Sequence, residues 1–99
     1  MSQSSEITVE KQGDESRGAY TVDLEGVERQ AELTWVTQDG VRHANHTFVP
    51  PEMRGKGIAG KLVDALIADA REQGFKVAPD CSYVEAAFHR NPEWSDLRA

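Results

Sequence analysis

The chain contains little cysteine and no long apolar segment. Cys81 is the single cysteine among 99 residues, which excludes an internal disulfide framework, and no Cys/His group has the spacing of a zinc site. The longest uninterrupted apolar run is four residues, 65–68, too short for a membrane-spanning helix or the apolar core of a signal peptide. A chain of this length forms one domain. We therefore expect a single cytoplasmic domain that does not enter a membrane and holds no metal.

Positive charge is also scarce. Lys and Arg number 11 against 17 Asp and Glu, giving a formal net charge of −6, which argues against nucleic-acid binding through a general electrostatic field. The charge is unevenly distributed, because residues 41–76 contain six bases and four acids and include the glycine-rich segment 54–57. A local positive section in an acidic chain favours a small anionic ligand. The alternative is a chance excess of two charges.

The spacing of apolar residues changes along the chain, and the order of these changes predicts an α+β fold with a mixed sheet. Alternating apolar residues predict strands, and apolar residues recurring every three to four positions predict an amphipathic helix. Residues 1–5 are expected to be frayed, and residues 6–99 to form the domain. The predicted strands cover 7–11, 20–24, 31–35, 41–49 and 75–78, and the predicted helices cover 57–73 and 82–90, with a last helical turn near the end.

Local residue chemistry predicts where several of these elements begin and end. Asp39-Gly40 is favoured in two-residue hairpin turns, in which both central residues need a positive φ. Gly74 is placed to end the long helix in the left-handed conformation. Ser82 and Glu85 have the spacing of a capping box at the start of the next helix. Asn91, followed by proline, is a candidate N-cap for the final turn.

A glycine-rich loop lies between the strand that ends before Pro50 and the long helix. The first N–H groups of a helix lack intrahelical partners and lie at the positive end of its dipole, so they bind phosphate well. Small residues allow a diphosphate to approach that backbone, and nearby cations add charge. The spacing does not match a P-loop, and antiparallel strands before the loop do not suit a dinucleotide-binding unit. A glycine-rich turn with solvated lysines is the alternative.

The segment from Arg54 to Ala59 resembles the R/Q-x-x-G-x-G/A signature of the GNAT N-acetyltransferase superfamily. Three further blocks extend the resemblance to its small single-domain YjdJ-like subfamily. The first is Asn45 to Val49 before the loop, the second runs from Val77 to Val84 and contains a Pro-x-Cys-x-Tyr-Val pattern, and the third lies at 91–97. The resemblance covers roughly residues 18–97. It implies a GNAT-like sheet that splays between two parallel strands flanking the long helix, with coenzyme A lying in the splay.

The resemblance also implies which residues contact acetyl-coenzyme A, or coenzyme A after transfer. The donor is bound by the loop, the first turn of the helix and the end of the preceding strand. The residues expected to bind it are Arg54, Gly55, Lys56, Gly57, Ile58, Ala59, Gly60, Lys61, Thr47, Phe48 and Val49. The signature loop is expected to cradle the pyrophosphate.

Three residues are candidates for catalysis, and each has an ordinary structural alternative. Cys81 precedes a helix, which favours its thiolate, although free cysteines are often buried apolar residues. His46 is predicted to share a strand face with Ala44 and Phe48, where a histidine is usually structural. Tyr83 is equally compatible with simple packing. The resemblance implies an active-site thiol at Cys81, a general base at His46 across from Cys81, and a proton donor at Tyr83.

The sequence therefore predicts an acetyl-coenzyme A-dependent N-acetyltransferase with an unknown amine acceptor, which is a small molecule or a protein, and with a candidate acetyl-Cys81 intermediate. The alternative is a coenzyme A-binding regulatory or partner-binding module with little catalysis. Larger relatives insert helices between their first two strands, whereas residues 13–16 here leave room only for a turn. We expect a monomer that binds neither nucleic acid nor membrane.

Overall fold

The computed structural model describes residues 7–99, which form one five-stranded mixed sheet with two α-helices. The elements are β1 (Glu10–Gly13), β2 (Arg17–Val22), β3 (Ala31–Gln38), β4 (Val41–Phe48), α1 (Ile58–Gln73), β5 (Lys76–Ala78) and α2 (Ser82–Arg90), with 3-10 helices at Pro51–Met53 and Pro92–Leu97. The strands follow chain order across the sheet. Strands β1 to β4 are antiparallel, and β5 is parallel to β4. This confirms the predicted α+β fold. The segment 1–5, predicted to be frayed, lies outside the described residues.

Turn geometry agrees with prediction at the centre of the sheet and differs at its edge. Asp39 and Gly40 have φ values of 53° and 77°, as a tight β3–β4 hairpin requires. At the edge, β1 begins later than the predicted 7–11, and β2 lies earlier than the predicted 20–24. Gly13 pairs with Gly18, and these two residues have no side chains to show a strand period. A Cβ at Gly18 would lie 2.6 Å from Cζ2 of Trp35, so the indole packs where glycine leaves space.

A β-bulge in β4 changes which of its residues face α1. Trp35 pairs with Ala44, whereas the preceding Thr34 pairs with His46, so Asn45 is the extra residue. Side chains alternate across a strand, and the bulge reverses that alternation from this point on. Ala44 and Trp35 are buried on the face that packs against α1, and His46 lies on the opposite face. The prediction that His46 shares a face with Ala44 is therefore wrong.

The core lies between one face of the sheet and α1. The helix begins after Gly57 and ends at Gly74, both in the left-handed conformation, and the Gly74 N–H donates to the carbonyl of Ala70. This confirms the predicted C-cap of α1, and the helix begins one residue later than the predicted 57–73. Its buried residues are Ile58, Leu62, Val63, Leu66, Ile67, Asp69 and Ala70. Within the described chain, neither α-helix has the length and apolar character that crossing a bilayer requires.

The ends of the C-terminal helices differ from the predicted caps. Cys81, not Ser82, occupies the N-cap position of α2, and no side-chain hydrogen bond closes the predicted box with Glu85. The Asn91 side chain donates to the carbonyl of Ala87 at 2.8 Å instead of capping the 3-10 helix that follows. In both cases the residue lies at the helix end, as the sequence indicates. Its tertiary neighbours determine the contact that it makes.

A buried polar cluster ties α1 to three strands. Asp69 is only 5% exposed. It accepts hydrogen bonds from Lys11 Nζ at 2.9 Å and Tyr20 Oη at 2.8 Å, and Arg42 donates to Tyr20 Oη at 2.8 Å while stacking over the Trp35 ring. Burial, reinforced by the hydrogen bond to Asp69, raises the pKa of Tyr20 well above its usual range. The tyrosine hydroxyl therefore remains a donor at physiological pH.

We expect Asp69→Asn to lower the free energy of unfolding by about 2 kcal/mol, because it weakens two hydrogen bonds to a buried charged acceptor. Urea denaturation followed by circular dichroism measures the change. Asp64→Asn is the matched control, since Asp64 is an exposed carboxylate on the same helix. Equal stability of the two variants would show that the cluster does not hold α1 to the sheet.

Candidate functional site

The loop between β4 and α1 is fixed to the body of the protein at both ends of a 3-10 turn. Pro50 and Met53 are fully buried, and Arg54 Nε donates to the carbonyl of Val49 at 3.3 Å. Arg54 was predicted to contact a ligand, and in the structure it also closes the loop back onto the end of β4. The glycine-containing segment that follows, residues 55–60, therefore begins at a point that is fixed to the rest of the protein.

Three glycines of this segment face open space. Gly55 and Gly57 have φ values of 82° and 75°, a conformation that itself favours glycine. Gly60 differs, because it lies inside α1, where alanine would be more stable by about 0.5–1 kcal/mol. Apart from its chain neighbours and the backbone of its own helix, a Cβ at Gly60 would meet no atom of the described protein within 4 Å. Packing within the described protein therefore does not require glycine at this position, whereas close approach of a ligand to the backbone would.

A cavity of about 160 Å³ lies over this segment and the start of α1. Its lining is Val49, Met53, Arg54, Gly55, Gly57, Ile58, Ala59, Gly60 and Tyr83. The first helical hydrogen bond of α1 runs from the Lys61 N–H to the Gly57 carbonyl at 3.2 Å, so the preceding amides of the first turn have no intrahelical acceptor. That turn contains no acidic residue. The cavity floor therefore suits an anion.

The predicted basic residues surround this floor unevenly. Arg54 lines the cavity, whereas Lys56 and Lys61 are exposed and lie outside its lining. An anion in this cavity would therefore meet backbone amides and Arg54 at short range, and the two lysines would act on it through the local field. Phe48, predicted to bind the same ligand, has the Arg29 guanidinium 4.9 Å from its ring centroid and does not line the cavity.

Cys81 lies where β5 has ended and α2 begins, beside the edge of β4. Its backbone N–H donates to the carbonyl of Ala44 at 2.9 Å, which continues the β4–β5 contact one step beyond the paired residues. Its thiol donates to the hydroxyl of Thr47, with sulfur and oxygen 3.4 Å apart. The thiol is half-buried. Thr47, predicted only as a ligand contact, is thus the polar partner of the sulfur.

The surroundings of Cys81 favour its thiolate. Partial burial, the largest single effect, raises the pKa of the thiol, but the Thr47 hydroxyl and the backbone N–H groups of Val84, Tyr83 and Thr47 together outweigh it. The net result is a pKa below the ordinary value for cysteine. Three of these groups are backbone amides, and two belong to the first turn of α2, as expected near a helix N-terminus.

The structure separates the other two candidate catalytic residues. Tyr83 lines the loop cavity, and its backbone N–H faces the Cys81 sulfur, so Tyr83 connects the two features. The His46 side chain is 59% exposed, and its Nε2 lies 4.0 Å from Glu32 Oε2. Its predicted position across from Cys81 is wrong, because the bulge turns it to the face opposite Thr47. A role for His46 as general base stays a prediction.

A histidine–aspartate pair lies beside Cys81 and was not expected from the sequence. His43 Nδ1 is 2.9 Å from Asp80 Oδ2, and the His43 side chain is only 27% exposed. The two residues are 37 positions apart, and only the parallel register that pairs His43 with Ala78 brings them together. The sequence offered one local indication of a polar group beside the cysteine, which is Asp80 in the Pro-Asp-Cys segment.

A protein-family model matches most of this chain. The model is described as a GCN5-related N-acetyl-transferase, and it covers residues 19–97. The matched region begins in β2 and includes the glycine loop, the cavity, the histidine–aspartate pair and Cys81. The narrower YjdJ-like assignment stays a prediction.

Proposed function

This chain belongs to the GCN5-related N-acetyltransferase family, and we propose that it transfers an acetyl group from acetyl-coenzyme A to an amine. The observation that carries the proposal is the anion-binding floor at the start of α1, where Gly60 leaves the backbone open and no acidic residue opposes a negative charge. The family generally uses acetyl-coenzyme A, and the diphosphate of that donor is the kind of group that such a floor binds.

The residues around the floor suit the donor in both charge and space. The amides of the first turn of α1 would hold the diphosphate, with Arg54 lining the same cavity and Lys56 and Lys61 adding positive potential around it. Val49 continues the lining toward the end of β4, and the strand edge beyond leads to Thr47 and Cys81. The remaining length of the donor therefore has a path along β4 toward the thiol.

Two routes for the transfer are compatible with these residues. In the covalent route the Cys81 thiolate attacks the thioester carbon, coenzyme A leaves as its thiol, and acetyl-Cys81 passes the acetyl group to the amine. In the direct route the amine attacks the donor thioester itself. Backbone N–H groups at 45–49 are proposed to stabilise the oxyanion, and the Tyr83 hydroxyl to protonate the departing sulfur. The lowered pKa of Cys81 supports the covalent route.

A second candidate function is coenzyme A binding without useful catalysis. The observation in its favour is the short turn at residues 14–16 between β1 and β2, where Asp14 Oδ1 accepts hydrogen bonds from the N–H groups of Ser16 and Arg17. No helix in this connection shapes an acceptor pocket. Release of free coenzyme A in the presence of a panel of amines, compared with release without amine, separates an enzyme from a binding module.

Donor binding is tested by titrating the 15N-labelled protein with acetyl-coenzyme A. We expect the largest amide shifts at residues 54–61 and a second group at 45–49, because these segments form the floor and the neighbouring strand edge. Mass spectrometry of the same samples detects any acetylated protein. Shifts confined to other parts of the chain, or none at all, would contradict the proposed donor site.

A further inference from the structure

His43 and Asp80 form a hydrogen-bonded pair that the chemistry above does not use. A carboxylate only accepts hydrogen bonds, so the 2.9 Å contact between Nδ1 and Asp80 Oδ2 places a proton on Nδ1. This leaves the lone pair of neutral imidazole on Nε2. Within residues 7–99, the His43 ring contacts another side chain through Nδ1, and Nε2 makes no such contact. The pair therefore holds the histidine in the form that accepts a proton at Nε2.

The pair lies at the end of the contact between the two parallel strands. His43 pairs with Ala78, and one step further the Cys81 N–H donates to Ala44. His43 and Asp80 are thus the chain neighbours of the two residues that make this last bridge. Beyond it, the Cys81 thiol contacts the Thr47 hydroxyl and backbone. The imidazole consequently borders the site where we propose that the acetyl group is transferred.

The thiol and the histidine occupy opposite faces of the sheet. Thr47, the partner of the sulfur, pairs with Leu33, which is buried against α1. His43 pairs with Val36, which alternates with the buried Trp35 and so belongs to the other face. The Cys81 sulfur already has hydrogen-bond partners in the Thr47 hydroxyl and the backbone amides. His43 is therefore positioned to act on a group that arrives from the face opposite α1.

We propose that His43, oriented by Asp80, is the general base for the acceptor, and that the acceptor is a protonated alkylamine approaching from the sheet face opposite α1. This inference rests on the proposed acetyltransferase function. Two carboxylates on that face favour a cation, since the Asp80 side chain is 53% exposed beside His43, and Glu32, 38% exposed, lies beside His46. The acidic net charge of the chain, −6, acts in the same direction.

The proposed step balances for either route. His43 Nε2 takes one proton from the alkylammonium, and the neutral nitrogen forms a bond to the acetyl carbon. The carbon–sulfur bond breaks, whether the sulfur belongs to coenzyme A or to Cys81. A second proton from the nitrogen reaches the departing sulfur through Tyr83 or solvent, and His43 releases its proton to water. The products are the amide, the thiol and one proton.

The test compares two acceptors with the full chain, butylamine, which is protonated near pH 7, and aniline, which is not. Acetylated amine is quantified by mass spectrometry. We expect His43→Gln to lower kcat for butylamine about a hundredfold, because general bases contribute factors of this order, and to leave aniline within about threefold. Asp80→Asn should act in the same direction with a smaller factor, since it acts through His43. His89→Gln, on the exposed face of α2, is the matched control.

The outcomes separate this inference from the proposed function. Equal losses for both amines in His43→Gln would mark the histidine as structural and overturn the inference. A normal rate for that variant together with a loss in His46→Gln would place the base at His46 and overturn it equally. If the unmodified protein binds acetyl-coenzyme A and acetylates neither amine, the transferase proposal itself fails, and the inference fails with it.

Discussion

Replacement of Gly60 by glutamate will abolish acetyl-coenzyme A binding without unfolding the protein. Gly60 lines the cavity, and outside its chain neighbours and its own helix backbone no atom of the described protein lies within 4 Å of the position that its Cβ would take. A glutamate there would bring a carboxylate next to the proposed diphosphate. Two like charges about 4 Å apart near a protein surface repel by roughly 4 kcal/mol, so we expect affinity to fall by more than about a hundredfold.

Changes at this position separate binding from stability, because the two should move in opposite directions. Gly60 is helical, so Gly60→Ala should raise the free energy of unfolding by about 0.5–1 kcal/mol. Gly60→Glu should also stabilise the helix, since a carboxylate in the first turn favours the dipole. Gly57→Glu is a less decisive variant, because the φ of 75° at that position adds backbone strain.

Isothermal titration calorimetry for affinity and urea denaturation for stability measure both effects on the same samples. Gln73→Glu is the matched control, since it adds the same charge at the exposed far end of α1. If Gly60→Glu and this control bind acetyl-coenzyme A equally well, the diphosphate does not bind at the start of α1. Loss of stability in Gly60→Ala would show that glycine serves the fold.

Replacement of Cys81 by alanine will lower acetyl transfer by about a hundredfold or more, because it removes the nucleophile of the covalent route. Incubation of the unmodified protein with acetyl-coenzyme A should leave one acetyl group on Cys81 that hydroxylamine removes. Cys81→Ser should prevent this adduct under the same conditions. As Cys81 is the single thiol of the chain, mass spectrometry of the intact protein reports on one site.

Alkylation measures the thiolate independently of turnover. The lowered pKa of Cys81 means that a larger fraction is thiolate at pH 7, so iodoacetamide should react faster than with a model thiol. Thr47→Val removes the hydroxyl that favours the thiolate, so it should raise the pKa of Cys81 and slow the reaction severalfold. Bound coenzyme A should also slow it. Normal turnover by Cys81→Ala would leave direct transfer as the mechanism.

The features predicted best are those whose cause lies within a few residues. The period of α1, its end at Gly74 and the Asp39-Gly40 hairpin each depend on local conformational preferences. The Arg54 to Ala59 signature also predicted the family correctly, because phosphate binding at a helix start needs small residues at fixed spacing.

The errors arose where contacts join distant parts of the chain. No local signal marks the β4 bulge, which depends on the register between β3 and β4 and reverses the face of His46. The apparent capping box at Ser82 failed because the Cys81 backbone is held by Ala44, which sets the N-cap one residue earlier. Both shifts are of one residue, and in a strand that is enough to exchange the two faces.

The α+β order of elements, the glycine loop at a helix start and the family could all be predicted from the sequence, because short-range backbone preferences and spacing encode all three. Which side chains meet depends instead on the tertiary fold. It paired Thr47 with the Cys81 thiol and His43 with Asp80, each across more than 30 positions, and it placed the two pairs on opposite sheet faces. A parallel strand register and a bulge are set by packing across the whole sheet, and no local pattern specifies that packing.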